Sequence, residues 1–247
     1  MLEEIDAVDW ASLPGRPDRY EPAVVVRGLK ALAEAVDLRQ VAEARSRLAD
    51  RGILHGHSAA VFPAAAAAAP LLLDIAQHGH PVARGTALGL LGEALDCYPY
   101  AGYTRVTDHD GIAVPLCCAI APHLRARRAF LVGLGKTGRS LLADADTHWR
   151  FEVRECVADS GDAVAFGILA GRLPDGVHEA ETHRAGAIAG LSEVTLEYPP
   201  TASSPEPEPE PESEPKPEAC LRVTGRHPAE LPPGTVLLPA DCGDRVH

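Results

Sequence analysis

Residues 63–95 read PAAAAAAPLLLDIAQHGHPVARGTALGLLGEAL. Alanine and leucine fill Pro63 to Gln77, which predicts a helix kinked at Pro70 and stopped by His78-Gly79. Pro81, suited to the first helical position, opens a second helix through Leu95. The Gly-then-Pro punctuation between them marks an antiparallel helical hairpin. Working outward, Glu21 to Val36 places Val24, Val25, Gly28, Leu29 and Leu32 on one stripe, and Asp37 is the N-cap of a helix from Leu38 to Asp50 that Gly52 ends. Downstream of a looser stretch from Tyr98 to Gly111, two further helical pairs are expected: Ile112–Leu134 with Ala143–Ala158, and Asp162–Arg172 with Val177–Leu191.

Composition agrees with a helical reading. Apolar residues make up 46% of the 247, but aromatics only 4%, too few for a two-sheet sandwich of this length. Residues 199–217, PPTASSPEPEPEPESEPKP, alternate proline with glutamate and predict a polyproline-II-like, disordered segment. Alternating runs flank it, VTLEY at 194–198 and CLRVT at 220–224, with TVLL at 235–238 beyond, so it reads as an insertion in a small β-hairpin. The expected division is a helical domain over 1–191 and a β appendage over 192–247 with 199–219 disordered.

Net charge is −12, and the run from Glu206 to Glu218 holds −5 of it, so both parts are acidic. That argues against phosphate-neutralising binding to nucleic acid. The longest apolar tract, Ala64 to Leu73, is too short to cross a membrane, and the N-terminus has no cationic region before an apolar one. The expectation is a cytoplasmic protein with no membrane partner. Cys97, Cys117, Cys118, Cys156, Cys220 and Cys242 include no CxxC pair and read as small buried hydrophobes.

An internal echo supports a repeat. Arg84, Ala87 and Leu91 share their spacing with Arg184, Ala187 and Leu191, as in a helix that stacks its small-residue face on the next repeat while arginine closes the turn. Together DWASL (9–13), YEP (20–22), GILHG (52–56), AAAAPLLL (66–73) and RGTALGLL (84–91) resemble a family of bacterial HEAT-like repeat proteins over residues 9–191. His57 after Gly56, the final strands and the acidic insertion depart from that pattern. The resemblance implies a mainly α, HEAT/armadillo-like right-handed α-superhelix, here ending in a small C-terminal β-hairpin. It also implies a role in binding another protein. Some members of the family are suspected immunity or scaffolding proteins, and a separate HEAT-like branch excises damaged DNA bases.

Each motif with chemical potential has a plainer structural reading. Gly133, Gly135 and Gly138 fit G-x-G-x-x-G, yet a Rossmann unit needs a buried strand before Gly133 and a second βαβ half, so a turn between antiparallel helices is preferred. The HGH triplets at 55–57 and 78–80 lie at opposite ends of one helix, roughly 20 Å apart at 1.5 Å per residue, and cannot share an ion. His178 and His183 are five residues apart rather than the zincin four, which turns them away from one another on a helix. No serine sits in a nucleophile motif, and Cys156 is two helical turns from His148. Residues 148–155, HWRFEVRE, concentrate one of two tryptophans with two arginines and two glutamates, the composition of a binding hot spot. Trp149, Arg150, Glu152 and Arg154 are the candidate binding residues. No catalytic residue, metal ligand or cofactor is assigned. The function expected is non-catalytic protein–protein interaction, possible immunity or antitoxin binding included, with a HEAT-like DNA-repair glycosylase as the alternative.

Overall fold

The computed structural model describes residues 2–184, 186–197 and 218–247. It divides into two compact units, Met1–Asp146 with Cys242–His247, and Thr147–Asp241. Among the described residues no helix is long and apolar enough to cross a membrane.

The first unit is helical. It contains α1 (Leu2–Ala7), α2 (Pro22–Glu34), α3 (Leu38–Arg47), α4 (Ala64–His78), α5 (Pro81–Asp96), α6 (Leu116–Ala126), α7 (Arg128–Gly133) and the start of α8 (Lys136–Thr147). Its helix boundaries through α5 follow local chemistry. The Asp37 carboxylate accepts from the Gln40 backbone N–H at 2.8 Å and starts α3. Arg84 donates to the Ala76 carbonyl at 2.9 Å and closes the turn within the α4–α5 hairpin, not a turn between repeats. Helix α4 runs through Pro70 and buries a wide apolar face that includes Ala65, Ala68, Leu72, Ile75 and Ala76, while Ala66, Pro70, Asp74 and Gln77 line a half-buried stripe at the three- and four-residue helical spacing. It packs against α5 and α6. Short strands lie between helices: β1 (Leu54–His55), β2 (Ala60–Val61) and β3 (Tyr98–Pro99) form one small sheet, and β4 (Arg105–Thr107) pairs with β5 (Ala113–Pro115). The short helix α9 (Ala240–Gly243) leads into the C-terminal tail.

The second unit overturns the all-helical expectation. Strands β6 (Arg150–Asp159), β7 (Asp162–Ala170), β8 (Val177–Arg184), β9 (Ala187–Glu197), β10 (Glu218–Val223) and β11 (Val236–Pro239) close into an antiparallel barrel in the order β10-β7-β6-β11-β8-β9. The helices expected over 143–158, 162–172 and 177–191 are therefore strands from Arg150 onward, and the fold is mixed α/β. There is no HEAT/armadillo-type α-superhelix. The Arg184 echo of Arg84 has no structural meaning, because Arg184 ends a strand. One part of the C-terminal reading holds: β9 and β10 pair antiparallel, Val194 opposite Val223 and Glu197 opposite Cys220. The proline–glutamate run at 199–217 lies outside the described residues, whereas Glu218 and Ala219, expected to be disordered with it, belong to β10.

Six strands leave a barrel interior that side chains fill. Trp149, Phe151, Val153, Ala163, Ala165, Leu169, Ala180, Leu191, Val194, Leu221, Val223 and Leu237 are among those that fill it. Phe151 and Val153 are two apart, the period of a strand. The β6–β7 hairpin turns at Ser160 and Gly161, whose φ values of 55° and 96° match a two-residue turn with both central residues left-handed. A bulge in β6 at Arg154 keeps Val153 opposite Gly167 while Glu155 opposes Phe166. There the strands come so close that a Cβ on Gly167 would stand 2.0 Å from the Glu152 carbonyl oxygen.

The three motif glycines at 133–138 also have a packing explanation. They join α7 to α8, with Gly135 at φ 72°, and a Cβ on Gly138 would lie 1.9 Å from the Leu131 carbonyl oxygen. Gly133 has open space around it. Gly138→Ala is therefore expected to destabilise the protein by about 3 kcal/mol in urea unfolding, with Gly133→Ala near neutral. Equal effects of the two substitutions would contradict this account of the motif.

Candidate functional sites

The residues singled out at 149–154 lie on β6 or directly before it. Trp149 is 2% exposed and packs in the barrel core. Arg150 and Glu152 are half-buried, Arg154 is exposed, and Arg154 pairs with Glu152 at 3.2 Å. Because Phe151 and Val153 face inward, Arg150 and Glu152 share the outer wall. Glu152 stands opposite Ile168 on β7, and Glu155 stands opposite Phe166. Phe166 is 41% exposed, and Val157 beside it on β6 is exposed too. The outer wall of β6 and β7 thus sets an apolar row against charged neighbours, a feature that the helical reading of this stretch could not produce.

The histidines expected at helix ends behave differently from one another. His80 is an N-cap of α5, its Nδ1 accepting from the Val82 N–H at 3.4 Å. His178 and His183 sit on β8, and His183 Nε2 is 2.8 Å from a carboxylate oxygen of buried Glu181. His55, on β1, belongs to a network of the helical unit. Its Nε2 is 3.0 Å from Arg19 Nη1, its Nδ1 is 2.7 Å from Ser58 Oγ, and Ser58 Oγ is 2.7 Å from the Tyr100 hydroxyl. A guanidinium only donates, so Nε2 is the acceptor and the ring proton sits on Nδ1. His55 therefore donates to Ser58. A general base that activates serine must present a lone pair to the hydroxyl, so this pair is wired opposite to a nucleophile–base dyad. It links the turn at Gly56–Ser58 to the end of β3. Arg16 covers the Tyr100 ring at 5.0 Å, and His247 approaches it from the C-terminal tail with centroids 5.0 Å apart.

Two groups of potential metal ligands occur among the described residues. Asp108, His109 and Asp110 lie in the β4–β5 turn, where the Asp108 carboxylate already accepts backbone N–H groups from Asp110 at 3.0 Å and Ile112 at 2.9 Å. The second group is buried. Cys117 and Cys118 occupy the first turn of α6, and Cys242 lies in α9. Their three sulfur atoms all lie within 4.8 Å of one another, and none of the three residues is more than 7% exposed. Hydrogen bonding to Cys117 and Cys242, with burial, pushes the Cys118 thiol well above its ordinary value; the Cys242 thiol is also raised, first by Cys117. The absence of CxxC spacing hid this group, since Cys242 follows Cys118 by more than a hundred residues.

Burial, then the Arg19 charge, pushes the His55 pKa below its usual value, and burial does the same to His123. Both bind a proton more tightly when unfolded, so their contribution to stability is present above the unfolded-state value near about pH 6.5 and is lost as pH falls through the lower folded values. Urea midpoints should therefore drop less between about pH 7 and about pH 5 in a His55→Asn, His123→Asn double variant than in the wild-type chain. Identical slopes would show that neither imidazole is held neutral by the fold.

In comparisons with protein-family models, with curated proteins and with solved structures, nothing matches this chain.

Proposed function

We propose that this protein is a non-catalytic protein-binding module of the cytoplasm whose contact surface is the outer β6–β7 wall of its barrel. The observation that carries the reading is Phe166, a large aromatic side chain 41% exposed in the middle of a strand. Aromatic and arginine side chains together are the usual anchors of protein interfaces. Val157 extends the apolar row, and Arg150, Glu152, Arg154 and Glu155 border it. Three of the four binding residues expected from the sequence thus remain in the surface, while Trp149 supports it from inside the barrel.

A closed barrel suits such a role. Each of its strands has a neighbour on both sides, so recognition runs through side chains on the wall rather than through added strands. The net charge of −12 favours a partner with a basic rim around an apolar centre and disfavours nucleic acid. None of the six cysteines forms a disulfide, which supports a reducing compartment. The glycosylase alternative rested on a helical superhelix and loses its basis with it.

The test is capture from a lysate of the source cells with the full chain as bait, alongside a Phe166→Ser, Val157→Ser variant. Both side chains face outward, so the variant should keep the wild-type far-UV spectrum. Losing an aromatic anchor should weaken a specific partner by about 30-fold, equivalent to about 2 kcal/mol. A partner retained equally by both baits would remove the β6–β7 wall from the interface, and a folded bait that retains nothing would remove the binding reading itself.

A further inference from the structure

We propose that Cys117, Cys118 and Cys242 bind one soft metal ion, of the zinc and copper(I) class, through three thiolates. All three residues belong to the helical unit. Their sulfur atoms lie within 4.8 Å of one another. Metal–sulfur bonds of about 2.3 Å set thiolates on a shared ion about 3.8 Å to about 4.0 Å apart, so the trio closes on an ion with a contraction of at most about 1 Å. Thiolate donors select zinc and copper(I), whereas magnesium and calcium take oxygen ligands. On binding, the ion replaces the three thiol protons, which pass to solvent.

The setting favours a metal over apolar packing of small side chains. The chain has six cysteines in 247 residues, and three of them bring their sulfurs together. Adjacent side chains on a helix point about 100° apart, yet the Cys117 and Cys118 sulfurs both converge on Cys242. Both lie in the first turn of α6, an 11-residue helix whose N-cap, Pro115, supplies no side-chain hydrogen bond. The positive end of the helix dipole there stabilises thiolates. Cys242, the third donor, comes from the end of the chain and is fixed by contacts that do not involve sulfur. Arg245 donates to the carbonyls of Leu95, Asp96 and Cys97 at the end of α5, and the His247 N–H donates to the Pro99 carbonyl at 2.7 Å. With the tail already held, an ion gains three donors at little cost in chain entropy. All three cysteines are buried, so the ion is shielded from competing thiols and staples the tail to α6. The site uses no residue of the β6–β7 wall, so it stands or falls separately from the Phe166 surface.

Cys97, Cys156 and Cys220 lie outside the group and serve as internal controls. The full chain, reduced and stripped of metal, is titrated with zinc(II) and, separately and without oxygen, with copper(I), each against a chromophoric competitor. At least one of the two ions should bind one to one with a dissociation constant of about 1 nM or tighter. X-ray absorption at that metal's edge should then show three sulfur neighbours at about 2.3 Å. Cys117→Ser, Cys118→Ser and Cys242→Ser should each weaken binding at least about 100-fold, whereas a Cys97→Ser, Cys156→Ser, Cys220→Ser variant should bind as the wild type does. The wild-type titration and absorption spectrum decide the proposal even if a serine variant of the trio fails to fold. A folded, reduced wild-type chain that binds both ions more weakly than this overturns it. So does a metal shell with fewer than three sulfurs, a disulfide within the trio under reducing conditions, or equal loss of metal in the control variant.

Discussion

The guanidinium of Arg245 caps the C-terminal end of α5 through three successive carbonyls, and the helical unit depends on that contact for its last piece of chain. The final carbonyls of a helix have no partners within it, and a fixed fork of N–H donors near the chain end satisfies several at once. The same arginine covers the Tyr98 ring at 4.9 Å, and two residues later the His247 N–H donates to the Pro99 carbonyl at 2.7 Å. With the tail held there, Cys242 meets Cys117 and Cys118 from more than a hundred residues away. His247 likewise reaches Tyr100, the far member of the hydrogen-bond chain that begins at Arg19.

A different constraint governs the barrel. Every strand finds a neighbour on both sides because the sheet closes on itself. Closure needs local departures from regular pairing: the bulge at Arg154, and Gly167, where the neighbouring strand leaves no room for a Cβ. On the outside, Arg222 of β10 joins Glu197 of β9 with Asp159 and Asp162 at the β6–β7 turn. These partners raise the Arg222 pKa, with Glu197 the largest cause and Asp159 next. The charged outer wall and the interior of Trp149, Phe151 and Val153 arise from a single alternating strand.

The four helices from α2 to α5 were legible because their starts and stops are set by neighbouring residues, whereas α1 was not read from the sequence. Asp37 caps its own helix, and Pro81 begins α5. The stretch after Thr147 was not, because its strands are built from alanine, glutamate and arginine, which favour helices in isolation. The clue present in it was the Ser160-Gly161 dipeptide between two alternating runs, a two-residue hairpin signal. The concentration of aromatic and charged residues at 148–154 was visible in the sequence, but their placement was not: which side of the sheet a residue faces separates the core Trp149 from the surface Arg154.

The sequence by itself determined the four helices from α2 to α5, the glycine turn between α7 and α8, the pairing of the strands that flank the proline–glutamate run, and the acidity of the chain. These follow from contacts between near neighbours in the chain, or from composition. Only the tertiary structure decided that the second unit is a barrel, because six marginal strands gain their hydrogen bonds and their core from one another and from nothing local. Tertiary structure also decided that Ser58 meets Tyr100 across 42 residues, and that Cys242 meets Cys117 and Cys118 across more than a hundred. Convergence of distant side chains depends on how elements pack, which spacing in sequence does not encode.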